Sequence, residues 1–323
     1  MPAASSPQPD VSVVMPVFNS GDYLREAVHS VLHQLPIDDR PLPSLELIIV
    51  DDHSTDARTV AMLAEIAGMD DRVRVITNQR SKGAAGARNT GIAQASGAWI
   101  GFIDSDDIWL SYALALRWHY IESNPGIRWI AGRFKLLRTE LTLAQYQADC
   151  ARLAADMAGT SQYPRLEHLP RPFLDFAKEC LIQTTAVLIQ RDLINEMGLF
   201  NEKLHRAEDY HLWFQCAVAN DLWRIDYEIS YYRIHAASLT HGETPRYLKE
   251  DLMIEMLLQG ELAGAHRASL VRRLDMVMQD HCYFYRGRKQ YGNAFGMAMK
   301  WVGKRPLQVG GWKELLAATL RRG

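Results

Sequence analysis

The run Ala98-Trp99-Ile100-Gly101-Phe102-Ile103-Asp104-Ser105-Asp106-Asp107 ends in three carboxylates within four positions. Like charges this close repel, and burying them without partners is costly. A divalent cation with oxygen ligands relieves both problems, and a hard cation such as Mg²⁺ or Mn²⁺ usually brings phosphate with it. The competing reading is an acidic turn after a strand, with Asp107 capping the next helix. A second acidic cluster, Asp51-Asp52-His53-Ser54, also follows an apolar run. A third, Glu208-Asp209, opens a segment with helical apolar spacing (Leu212, Trp213, Cys216, Ala217). At a helix N-terminus the macrodipole favours an ionised carboxylate, the state a general base needs. Two acids in a first helical turn are also ordinary capping chemistry.

The elements that must position these groups alternate. Val11 to Val17 is a strand candidate rich in β-branched residues. Ser20 is placed to cap a helix through Tyr23, Leu24, Ala27, Val28, Val31 and Leu32, which Pro36, Pro41 and Pro43 end. Leu45 to Val50 reads as a second strand, and Asp56 caps a helix over Ala57–Ala67. Val73 to Thr77, Ala84 to Ala95 and Ala98 to Ile103 follow as strand, helix and strand. This β-α alternation implies an α/β fold with a mostly parallel central sheet flanked by helices. Ligands of such sheets bind beyond the carboxyl ends of the strands, where the acidic clusters fall.

Bulk properties narrow the class. A chain of 323 residues with 48% hydrophobic and 23% charged content can build a substantial core. The net charge of −2 argues against a nucleic-acid partner. Cys150, Cys180, Cys216 and Cys282 show no C-x-x-C spacing, which argues against zinc and a disulfide framework and fits the cytoplasm. Residues 1–10 read as a disordered tail without signal-peptide character. No segment reaches the roughly 20 apolar residues of a membrane span. The stretch Gly83-Ala84-Ala85-Gly86-Ala87-Arg88-Asn89-Thr90-Gly91 is neither a Rossmann fingerprint nor a P-loop. It fits tight helix packing or phosphate contact.

Taken in order, several segments resemble glycosyltransferase family 2, the inverting transferases with the GT-A nucleotide-sugar fold. They are Val11–Asn19, Leu47–Asp56, Gly86–Ile92, Phe102–Asp107, Arg206–Trp213 and Tyr232–Ser238. The resemblance covers about residues 11–240, with a nucleotide-sugar half at 11–107 and an acceptor half at 108–240. It implies transfer of a sugar from a nucleoside-diphosphate donor, UDP-linked by expectation, to an acceptor hydroxyl on a glycan or lipid-linked glycan. It implies a divalent metal held by Asp106, with Asp104 on metal or ribose and His235 approaching metal or diphosphate. Asp209 becomes the base, with Glu208 orienting acceptor or base. Pro16, Val17, Phe18, Asn19, Asp52, Arg88, Asp104 and Ser105 fall to the donor, Phe18 stacking on the base. Phe18 stands where relatives often have Tyr, so a hydroxyl contact is lost. A sugar-nucleotide nucleotidyltransferase and a non-catalytic nucleotide-sugar scaffold are the alternatives. The first expects a basic Gly-rich loop after the first strand, which Val17-Phe18-Asn19-Ser20-Gly21 is not.

Beyond Asp107 a helix over Ser111–Ser123 and strands over Ile127–Leu137 and Thr184–Gln190 are expected. Residues 139–172 read as a helical insertion (Leu143, Tyr146, Cys150, Leu153, Met157) that shapes the acceptor pocket. Trp109, Trp129 and Trp213 are candidates for sugar stacking or for the core. Residues 241–323 read as a helical C-terminal region whose end, Trp312 to Arg322, is amphipathic and basic. That end is either a peripheral anchor at the inner face of a membrane or a helix docked on its own domain or a second subunit. The oligomeric state is left open.

Overall fold

The computed structural model describes residues 8–37, 40–138, 140–160, 163–235, 245, 247, 249–260 and 263–321. Most of the expected N-terminal tail, the Ala236-Ala237-Ser238 end of the last motif and the side chains of Leu153 and Met157 lie outside the described residues.

The first half follows the alternation: β1 (Val11–Val17), α1 (Tyr23–Leu32), β2 (Leu45–Asp51), α2 (Ala57–Ile66), β3 (Val73–Thr77), α3 (Ala84–Gln94) and β4 (Trp99–Phe102). These strands stand in the order β3-β2-β1-β4, every neighbouring pair parallel. β1, β2 and β4 are largely apolar because both their faces are covered, while the edge strand β3 is only partly buried and carries Arg74. Val14, Ile48, Val50, Ile100 and Phe102 pack on the α3 side, while Val13, Met15, Leu47 and Ile49 pack on the α1 and α2 side. Asp56 caps α2 by accepting from the backbone of Arg58 and Thr59. Ser20 does not cap α1: Asp22 precedes that helix without a side-chain cap, and Ser20 Oγ lies 2.5 Å from Ser105 Oγ.

The second half comprises β5 (Ile108–Trp109), α4 (Ala113–Ser123), β6 (Trp129–Leu137), α5 (Leu143–Thr160), β7 (Leu166–Leu169) and α6 (Phe173–Phe176). A 3-10 turn (Thr184–Ala186), β8 (Val187–Gln190), α7 (Arg191–Glu196), α8 (Glu208–Ala219) and β9 (Leu222–Arg233) follow. Here parallel order breaks down. β8 inserts antiparallel between β4 and β6, and β9 runs parallel to β6 and antiparallel to β5 and β7. Among the described residues the sheet has nine strands.

The chain ends in α9 (Glu250–Gln259), α10 (Ala263–Gly287), α11 (Tyr291–Lys304) and α12 (Val309–Thr319). Leu270, Leu274, Val277, Cys282 and Trp301 from these helices join the apolar cluster that holds Phe102 and Trp213. The C-terminal helices are thus docked on the transferase-like half through a shared core. Trp109, Trp129 and Trp213 are fully buried, so none is a sugar-stacking surface. No described helix is long and apolar enough to cross a membrane.

Candidate active site

β1 and β2 end level, Val17 paired with Asp51, and the backbone N–H of Asp52 donates to the carbonyl of Val17. Phe18 and Asp52 therefore emerge side by side at the mouth of a cleft of ≈ 1920 Å³. Phe18 is 46% exposed, and the ammonium of Lys82 lies 4.5 Å over its ring. Asp52 is buried and accepts from Asn78 Nδ2 (2.6 Å) and from the backbone N–H of Gly83 (2.8 Å). Each carboxylate oxygen keeps a further lone pair for a ligand donor. Asn19, at φ 50°, accepts from the backbone of Thr55 and Asp56. Its carboxamide thereby ties the β1–α1 loop to the β2–α2 loop and supports Phe18.

The glycines of the next motif are there for packing. A Cβ on Gly86 would stand 1.9 Å from the carbonyl of Ser81, and one on Gly91 would stand 2.4 Å from Val14 Cγ1. That close approach carries Arg88 into the interior. Its guanidinium is 4% exposed and bridges Asp104 Oδ1 (2.6 Å) and Glu208 Oε1 (2.7 Å). Burial disfavours the charge, but Asp104, Glu208 and Asp209 outweigh it and raise the Arg88 pKa. Arg88 lines the cleft expected to take the donor, and there it is a strut between two carboxylates.

The three acids after β4 divide. Asp106 Oδ2 lies 3.0 Å from His235 Nε2, and burial together with repulsion from Asp104 raises its pKa against the opposing effect of His235. Ser105 is buried and faces Ser20. Asp107 is fully buried and accepts from Thr185 Oγ1 (2.5 Å), Gln183 Nε2 (2.9 Å) and the backbone of Arg233 (3.0 Å). Burial, then repulsion from Asp104 and Asp106, pushes its carboxyl well above the usual range. Asp107 is not a helix cap, because α4 begins at Ala113 after Tyr112. It pins β9 and the 3-10 turn beneath the site.

On the opposite wall α8 begins at Glu208, after Ala207 at φ 58°. Burial and the neighbouring Asp209 raise the Glu208 pKa, opposed by Arg88. With its carboxylate on Arg88, Glu208 orients that strut and, through it, Asp104. Asp209 Oδ2 accepts from Thr184 Oγ1 (2.7 Å), and Asp209 Oδ1 from the backbone N–H of Tyr210 (2.7 Å). Thr184 and Thr185 are consecutive, yet one holds Asp209 and the other Asp107. A lone Thr-Thr pair carries no sequence signal, and the same holds for Lys82.

Glu179, Cys180, Ile182 and Gln183, with Tyr247, Arg273, Phe284 and Arg288, also line the cleft. Of the insertion, Glu140 lines the cleft. Helix α5 lies against β9 and the β5 region, through Asp149–Tyr231, Arg152–Glu228 and Cys150–Ser111 contacts.

Residues 12–140 match the family model described as glycosyl transferase family 2. An *Escherichia coli* protein, UDP-Glc:alpha-D-GlcNAc-diphosphoundecaprenol beta-1,3-glucosyltransferase WfgD, is 26% identical over 282 residues, covering 87% of this chain and 98% of that protein. The chain carries a glycosyltransferase family 2 domain. That domain and the named glycosyltransferase relatives make it an enzyme, and the nucleotidyltransferase and scaffold readings fall away. Two solved structures share the GT-A fold. *Staphylococcus aureus* TarS 1–349 in complex with UDP-GlcNAc has a TM-score of 0.58 at 20% identity, covering 96% of this chain and 79% of that one. The mannosyltransferase PcManGT from *Pyrobaculum calidifontis*, in complex with GDP-Man and Mn²⁺, has a TM-score of 0.57 at 15% identity, covering 97% and 80%.

Among the described residues no group of three or more His, Cys, Asp or Glu side chains is arranged to hold a metal alone. The Asp106–His235 pair beside Asp104 would nevertheless suit a hard or borderline cation that brings phosphate oxygens with it. The repulsion between Asp104 and Asp106 is what such a cation would relieve.

Proposed function

We propose that the family 2 transferase transfers a sugar, with inversion, from a nucleoside-diphosphate sugar to a hydroxyl of a lipid-linked glycan. The observation that carries this reading is one cleft with a donor wall and a base wall tied together. Asp104 and Glu208, from opposite walls, share the buried guanidinium of Arg88, and Asp209 stands next to Glu208. Phe18 offers a ring face to the base, and Asp52 a carboxylate to a base N–H. Asp209, in the first turn of α8, accepts the proton of the acceptor hydroxyl as its oxygen attacks the anomeric carbon. Attack from the face opposite the departing diphosphate inverts that carbon. A divalent cation held by Asp106 and His235, with Asp104 beside them, would stabilise the charge gathering on the leaving diphosphate. The relative named for a diphosphoundecaprenol substrate and a UDP-Glc donor supports a lipid-linked acceptor and a UDP-sugar.

A donor panel with and without Mn²⁺, read by released nucleoside diphosphate, tests this. Asp209→Asn is expected to lower turnover by about 10²-fold or more while donor binding stays near the parent value. Asp106→Ala is expected to weaken metal and donor binding together. Silence of both substitutions, or no donor turned over with metal present, overturns the reading.

A further inference from the structure

Charge is unevenly divided along this chain. Residues 263–323 hold 12 Lys and Arg against 3 Asp and Glu, a net of +9, whereas the whole chain is −2 and the remainder therefore −11. Two of those three acids face internal partners. Asp275 receives Trp301 Nε1 and Gln308 Nε2, and Glu314 pairs with Arg286. Arg273, Lys300 and Lys304 pair with Glu250, Asp251 and Glu255 of α9, whereas Lys313 and Arg321 are exposed.

The apolar residues of the same region are turned the wrong way for a helix docked on a core. Helix α12 buries Gly311, Glu314 and Ala318, a face of two small residues and an ion-paired acid. It exposes Val309, Trp312, Leu316 and Leu320, one stripe by helical spacing, with Trp312 at 52% and Leu316 at 60%. Leu307, in the turn before it, is 96% exposed, and Phe295 and Met299 are exposed on α11. The two helices lie close together: a Cβ on Gly310 would stand 2.8 Å from the Trp301 ring. Exposed Leu and Trp beside Lys and Arg match an anionic lipid surface, whose headgroups attract the cations while the acyl boundary takes the apolar side chains. The neighbouring α10 supplies Arg273, Phe284 and Arg288 to the cleft, so a bilayer under α11 and α12 lies next to that cleft.

We infer that α11, α12 and the turn between them form a docking surface for an anionic bilayer. Vesicle binding is read without donor or acceptor, so its failure leaves the proposed transfer reaction untouched. The full chain is expected to co-sediment with phosphatidylglycerol/phosphatidylethanolamine vesicles, weakly with phosphatidylcholine vesicles, and less as salt shortens the Debye length. The double substitution Trp312→Glu and Leu316→Glu should lower partition by about tenfold or more, since burying one such side chain accounts for at least that. Lys313→Glu with Arg321→Glu should do so only with anionic vesicles. Matching thermal unfolding shows that either variant folds. No binding by the parent, equal binding to neutral vesicles, or no effect of Trp312→Glu with Leu316→Glu overturns the proposal. A concentration-dependent dimer that these two substitutions dissolve, without vesicle binding, also overturns it and makes the face a contact between two copies.

Discussion

Thr184 sets the direction of the proposed base. Its hydroxyl donates to Asp209 Oδ2 while the backbone N–H of Tyr210 donates to Oδ1, so the carboxylate is fixed in plane and one lone pair per oxygen remains. Thr184→Val keeps the shape and removes the donor. It is expected to lower kcat by about 10- to 100-fold with donor KM nearly unchanged, the signature of lost orientation at the reacting group. Thr184→Ser should restore most of the rate. A steady-state comparison of the three proteins checks this, and a change in donor KM alone would argue against the assignment. The sequence pointed to Asp209 through the resemblance of Arg206–Trp213 to a family motif, since an acid pair opening a helix is by itself ordinary capping chemistry. It was silent on Thr184, whose role exists only once the 3-10 turn is folded against α8. Arg88 shows the same limit: its position in a Gly-rich motif gave no sign that two acids remote in sequence hold its guanidinium.

At the scale of elements, the parallel half was legible because a doubly covered strand needs an apolar run, and β1, β2 and β4 each have one. The mixed half was not, since β8 and β5 are short and their antiparallel partners are distant in sequence. Helix α4 shows the same limit from within. Arg117 reads as an ordinary charged helical residue, yet it is fully buried. Its Nε donates to the carbonyl of Ala113, and its guanidinium lies 4.1 Å over Trp109. Neither terminal nitrogen has a hydrogen-bond partner among the described residues. Burial pulls its pKa down to about 9, so below that pH the folded state carries the cost of an unpaired cation. Arg117→Met keeps the length and removes the charge. The variant is expected to be more stable at neutral pH by about 1–4 kcal/mol, the range seen when buried ionic groups give way to apolar ones. Urea denaturation of parent and variant measures the difference, and a less stable variant would show that the contact with Trp109 outweighs desolvation.

Over the whole molecule, the two halves are joined by polar groups as well as by the core, and this makes stability respond to pH. Glu202 lies beyond β8 yet accepts from Asn89, Ser81 and Arg80 in the parallel half. Burial opposes its charge, but these hydrogen bonds prevail and hold its pKa at about 2. Its stabilisation is complete above the ordinary value of 4.5 and is lost as pH falls from there towards 2. His211, on the buried side of α8, acts at higher pH. Burial lowers its pKa to about 4, and Nδ1 has no hydrogen-bond partner among the described residues. The unfolded chain takes up that proton near 6.5 and the folded chain only near 4, so stability falls across this window as pH drops. The full loss is about 3 kcal/mol at 1.36 kcal/mol per pH unit of separation. Buried acids with raised pKa, such as Asp107 and Glu208, act with the opposite sign, so the parent's pH profile alone cannot isolate the histidine. The difference between parent and His211→Leu can, because the other groups cancel. Between about pH 7.5 and 5 the parent should lose more stability than the variant, by about 1–2 kcal/mol in urea denaturation. Parallel curves over that window would mean that His211 protonates equally in both states, and that α8 is open to water behind the proposed base.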